Sequence, residues 1–248
     1  MASRQPGVPI KAMSVDRGQA ELDRWPYTLP VVAQIVEQGL TLNPGVTILI
    51  GQKGSGKSTL VEALAATWGR RVSTFRNDWL QRAAAMPSDE DSDLNQSLRL
   101  DYTLGGPSAG LFLRAERLHS QAGWFSGDGR WGERMGRSDV LARSHGEGFL
   151  EILAAMVADP GLYVLDEPES ALSFDSCLIL LTLMADMTAA GSQIVLATHS
   201  PILAALPGAN LLQLDDDGIR PITYDETDLV TSWRSFLDSP ERYLRHLT

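Results

Sequence analysis

One cysteine, Cys177, occurs in 248 residues, so an intrachain disulfide is excluded and a reducing compartment fits. Long apolar runs are also missing. A bilayer-spanning helix needs about 20 apolar residues, and Lys57 or acidic side chains interrupt every long apolar stretch here. Basic charge is scarce too: 21 Lys and Arg face 31 Asp and Glu, for a net charge of −10. That balance argues against broad nonspecific binding to nucleic acid, which needs a basic face. The one mildly basic segment lies between Phe112 and His145, with six arginines against four acids. The N-terminal stretch "MASRQPGVPIKAMSVDRGQ" has no apolar signal core. Residues 1–20 are therefore expected to form a flexible leader, and the protein is expected to be cytoplasmic. There is no internal repeat.

What is present is a chain 44% apolar, enough for one large α/β domain or two small ones. "VTILI" (Val46–Ile50) is a β-branched run ended by glycine, as expected of a buried strand. "STLVEALAATW" follows with Leu60, Leu64 and Trp68 at helical spacing. "GLYVLDEP" and "GSQIVLATHSP" are two more apolar strands, and between them "SALSFDSCLILLTLMADMTAAG" reads as one helix closed by Gly191. Cys177 falls in this helix, where packing is its expected role. Strand, helix, strand in this order implies parallel strands with crossover helices. Ligands of such sheets bind at the carboxyl ends of the strands, where the polar residues fall. Residues 70–140 are glycine-rich and irregular, and only "GLFLRAE" (Gly110–Glu116) reads as a strand there. A small lobe spanning about residues 70–145, inserted into a domain of residues 21–248, is the expected organisation. "NLLQLDDDGIRPITY" reads as a hairpin turning at Asp217-Gly218, and two short helices broken at Ser239-Pro240 close the chain.

The chemistry concentrates in a few short motifs. Gly51, Gln52, Lys53, Gly54, Ser55, Gly56, Lys57, Ser58 and Thr59 spell GQKGSGKST between a strand and a helix, a complete phosphate-binding loop pattern. Its glycines let backbone N–H groups curl around phosphates, and the helix N-terminus adds its dipole. Lys57 is placed to neutralise the outer phosphates and Ser58 to ligate Mg²⁺. Asp166, at the end of "LYVLD", suits a carboxylate linked to that metal, and Glu167 beside it is placed to orient or deprotonate a water. The bland reading of this acidic pair is a helix cap.

Three smaller motifs narrow the class. "SHGEG" (Ser144–Gly148) opens a helix 22 residues before Asp166, "SALS" (Ser170–Ser173) follows the acidic pair, and "ATHSP" ends the next strand with His199. In order and spacing the five motifs resemble the ABC-type ATPases, with the likeness running from about Trp25 onward. Within that superfamily the elements "WPYTLP", "FLRAE", "SHGE" and "LDEPESALS" resemble compact stand-alone bacterial ATPases, related to the soluble chromosome-maintenance and repair branch. The resemblance implies the P-loop fold of ABC ATPases, a mainly parallel sheet flanked by helices with a small inserted lobe. It implies ATP and Mg²⁺ as ligands, with Glu167, His199 and Lys57 as the catalytic set. Ser144, Gly146 and Glu147 would complete the site of a second copy in an ATP-dependent homodimer. By the same analogy Tyr27 or Trp25 would stack on adenine, Arg76 would approach the γ-phosphate, and Glu116 would contact the metal with Ser58 and Asp166. Lys53, four residues before Lys57, would be auxiliary.

The motifs also depart from the transporter pattern. His145 and Glu147 stand where transporters usually have glycine and glutamine. Ser173 replaces the aspartate that ends the loop after the acidic pair, and Glu116 replaces the glutamine that couples nucleotide to membrane partners. The gap of 87 residues between Lys57 and Ser144 carries no heptads, unlike the long coiled coils of the chromosome-maintenance enzymes. Three readings follow: an ATP-driven dimer switch, the nucleotide-binding subunit of a transporter, or a repair or defence ATPase acting on nucleic acid. Each leaves room for a protein partner.

Overall fold

The computed structural model describes residues 8–72, 92–107, 109–117 and 145–246. Its centre is a six-stranded sheet made of β3 (Val46–Gly51), β5 (Ala109–Arg114), β6 (Gly161–Asp166), β7 (Gln193–Ala197), β8 (Asn210–Asp215) and β9 (Gly218–Pro221). The strand order is β5-β6-β7-β3-β8-β9, and every pairing is parallel except β8 with β9. A sheet covered on both faces buries its central strands β3, β6 and β7 at every position, which explains their mainly apolar runs; Thr47, Asp166 and Gln193 are the polar exceptions. Successive residues feed opposite faces. Leu49, Val164 and Val195 join one core cluster, while Ile48, Ile50, Leu165 and Leu196 join the other.

The first face is covered by α1 (Pro30–Gln38) and α2 (Lys57–Val72), whose Leu60, Leu64 and Trp68 are each at most 1% exposed. A three-stranded antiparallel sheet closes this layer, with β1 (Ile10–Val15) between β2 (Leu40–Thr41) and β4 (Leu98–Tyr102), and the short helix α3 (Leu94–Ser97) leads into β4. The second face is covered by α4 (His145–Met156) and α5 (Phe174–Ala189). The helix α6 (Pro201–Ala204) follows β7, and α7 (Asp228–Asp238) with α8 (Pro240–Leu244) close the described chain.

The α/β class, the parallel sheet and the flanking helices match the sequence expectation. Four details differ. Residues 10–15 belong not to a leader but to β1, with Ile10 and Met13 buried at 0% and 2%. The helix expected from Ser170 begins instead at Phe174, because the Ser173 hydroxyl caps it by accepting from Ser176 N–H; residues 168–171 form a separate 3-10 turn. The hairpin turns one residue earlier, at Asp216-Asp217, since Asp215 already pairs with Gly218. Helix α1 and strand β4 stand where no regular element was expected.

Candidate functional site

Strands β3, β6 and β7 lie side by side and point the same way, so Gly51, Asp166 and Ala197 end at one edge of the sheet. The loop after β3 runs into α2 through Gly54 and Gly56, whose φ angles of 87° and 92° are in the left-handed region that glycine adopts without penalty. Lys57 is buried and its ammonium donates to the carbonyls of Gly51 and Gln52, at 2.8 and 3.0 Å. Burial lowers its pKa, opposed by Glu167, Asp166 and Glu169. Phosphate oxygens would be exchanged for those two carbonyls. Lys53 is exposed at the crest of the loop.

The Ser58 hydroxyl donates to Asp166 Oδ1 at 3.2 Å, joining the first turn of α2 to the end of β6. The Asp166 side chain is 1% exposed, and its Oδ2 has no hydrogen-bond partner among the described residues. Burial drives the Asp166 carboxyl up to about 7, with Glu62 and Glu167 adding to the effect and Arg114 and Ser58 opposing it. A hydroxyl beside a buried, under-satisfied carboxylate is a hard oxygen set that fits Mg²⁺. Ser58 and Asp166 are the residues that would hold it.

Glu167, with φ 47° and ψ 51°, is the one non-glycine at positive φ among the described residues. Such strain costs about 1 kcal/mol and persists only where surrounding bonds enforce it. Here its N–H donates to Ala197 O at 2.9 Å, and its carbonyl accepts from the Ser170 hydroxyl at 2.9 Å. His199 Nε2 stands 3.4 Å from Glu167 Oε1, and both side chains are about one-third exposed, at 37% and 36%. A carboxylate with solvent access beside an imidazole is equipped to accept a proton from water and to meet a phosphate.

Other expectations fare differently. Gly146 is buried against the turn after β6: an added Cβ would lie 2.7 Å from Ala171 O, so only glycine allows this approach. Glu147, one residue on, is exposed. Tyr27 is corrected: its ring is 3% exposed within the core, and its hydroxyl pairs with Ser97 Oγ at 2.9 Å, leaving no face for a base. Trp25, its neighbour in the motif, is 48% exposed. Glu116 is 64% exposed and 3.5 Å from Arg114 Nε; no contact ties it to Ser58 or Asp166. Arg76 and Ser144 lie outside the described residues.

Two further residues enter the site without having been expected there. Glu169 accepts a hydrogen bond from His199 N–H and thereby fastens the end of β7 to the turn after β6. Its carboxyl is pushed up by burial, against hydrogen bonds from His199 and Thr198. The third acid of "DEPE" was the available signal. Arg114 stands opposite Asp166 in the β5–β6 register, its Nε 3.5 Å from Asp166 Oδ2.

Residues 86–205 match the family described as "AAA domain, putative AbiEii toxin, Type IV TA system", and residues 32–106 match one described as "AAA domain". The chain is 32% identical over 190 residues to cytochrome c biogenesis ATP-binding export protein CcmA of Paramagnetospirillum magneticum (strain ATCC 700264 / AMB-1), covering 69% of this chain and 82% of that protein. It is 29% identical over 152 residues to ABC transporter B family member 21 of Arabidopsis thaliana, covering 55% of this chain and 12% of that protein. The matches span between 12% and 35% of the length of several of the curated relatives. Among solved structures, the SMC head domain from Thermotoga maritima superposes with a TM-score of 0.44 at 15% identity, over 74% of this chain and 92% of that one. The chain belongs to the P-loop ATPases of the ABC/AAA type.

Proposed function

We propose that the protein binds ATP with Mg²⁺ and hydrolyses it, and that ATP drives two copies together head to tail. The observation carrying this reading is the meeting of Lys57, Ser58, Asp166, Glu167 and His199 at the ends of three adjacent parallel strands. Each residue has its own task. Lys57 holds the outer phosphates, and Ser58 with Asp166 holds the metal, which when bound supplies charge neutralisation at the phosphates. Glu167 takes the proton of the attacking water, and His199 supports both Glu167 and the γ-phosphate. Glu169, bound to the His199 backbone, keeps that imidazole in place.

Phosphate release and fluorescent-nucleotide binding together test this. Glu167→Gln is expected to lower turnover by about 10²- to 10³-fold while nucleotide still binds. Lys57→Ala is expected to abolish binding. Full turnover by Glu167→Gln would refute the assignment of the base.

A second reading, an energy-supplying subunit of a membrane assembly, is favoured by the likeness to an ATP-binding export protein. It expects hydrolysis to rise when a membrane protein co-purifies. Constant turnover with and without membranes would count against it.

A further inference from the structure

Ser58 and Glu62 sit four residues apart on α2 and so share one helix face. That face meets the ends of two strands at once. The Ser58 hydroxyl bonds Asp166 on β6, and Glu62 Oε1 pairs with Arg114 on β5. Arg114 therefore stands among three carboxylates: Glu62, Glu116 at 3.5 Å and Asp166 at 3.5 Å. Its side chain is 16% exposed, that of Glu62 19% and that of Asp166 1%.

The two buried contacts of Arg114 differ in kind: one is a hydrogen bond and the other an ion pair without one. Glu62 accepts a hydrogen bond from Arg114, while Asp166 Oδ2, 3.5 Å from Arg114 Nε, has no hydrogen-bond partner among the described residues. Arg114 thus lends Asp166 positive charge without occupying its lone pairs. Among the described residues, one guanidinium faces three carboxyl groups here, an excess of acid that suits a divalent cation.

We infer that Arg114 is a built-in counter-charge to the metal-binding carboxylate, held off it by Glu62, and that this pair sets how strongly nucleotide binding depends on the divalent cation. Arg114 is a positioning residue rather than a catalytic one. This rests on the reading of Asp166 as the metal carboxylate. Removing the Arg114 charge leaves the cluster more negative, so nucleotide alone is repelled more and the metal is needed more. Removing the Glu62 charge does the reverse and frees Arg114 to close on Asp166.

The test is the ratio of fluorescent ATP-analogue affinity in Mg²⁺ to that in EDTA, measured on the full chain. Arg114→Gln is expected to raise the ratio by about tenfold, and Glu62→Gln to lower it by a similar factor. Arg114→Lys keeps the charge and should stay near wild type. A merely structural Arg114 would leave the ratio unmoved or shift both neutral variants the same way, and either result overturns the inference. Should Arg114→Gln fail to fold, Glu62→Gln decides: a ratio that does not fall overturns the inference. A wild-type chain that binds no nucleotide would instead defeat the proposed function, and the inference with it.

Discussion

Asp166 illustrates how a single side chain trades stability against function. Its carboxyl is pushed from 3.8 to about 7, by burial first and then by Glu62 and Glu167, against Arg114 and Ser58. A carboxyl with a higher pKa folded than unfolded binds its proton more tightly in the fold. The resulting stability is whole at low pH and is lost as pH climbs from about 4 to about 7. Asp166→Asn removes the titration while keeping the shape. Compared with wild type in urea denaturation without nucleotide, it is expected to be more stable, with a gain that grows from pH 4 to pH 7 and then levels off. A gain that is the same at pH 5 and pH 8 would refute the account. Under the proposed metal role of Asp166, the stabilised variant should no longer distinguish Mg²⁺ from EDTA in nucleotide binding.

Elements were legible where one signal sufficed and hidden where two signals overlapped. Strands β3, β6 and β7 are buried at every position because both faces are covered, and their near-continuous apolar runs stand out. Strand β1 has one covered face, and its alternation of Ile10, Met13 and Val15 slips at a register shift between Ile10 and Ala12. A bulge of that kind breaks the period of two on which strand reading depends. The glycine-rich loop and the acidic pair stand out in the sequence because each is a contiguous run of residues. Tyr27 was misplaced because its neighbour Ser97 is 70 residues away, and Arg114 was passed over because only strand pairing brings it to Asp166. The placement of β1 has a measurable consequence. Met13, 2% exposed in the first core cluster, should lose about 2–4 kcal/mol on replacement by alanine. Urea midpoints would show it, and a neutral Met13→Ala would return residues 10–15 to the leader.

At the scale of the molecule, Gly146 packs the start of α4 directly against Ala171 and Leu172 in the loop of residues 170–173. In the proposed head-to-tail dimer this packed corner would face the partner's phosphates. Association then has an electrostatic opponent, because each chain carries a net charge of −10. Like-charged molecules repel over about a Debye length, ~30 Å at 0.01 M salt and ~8 Å at 0.15 M. With Glu167→Gln holding ATP at saturation, nucleotide affinity no longer limits assembly and only the approach of two acidic bodies does. Light scattering on a sizing column is therefore expected to give twice the monomer mass in Mg²⁺ and ATP. The dimer fraction should rise between about 0.01 and 0.15 M salt. Lys57→Ala should remain monomeric throughout. A Glu167→Gln protein that stays monomeric at every salt concentration while binding ATP would remove the dimer from the mechanism, and leave a nucleotide site whose response must be read by another protein.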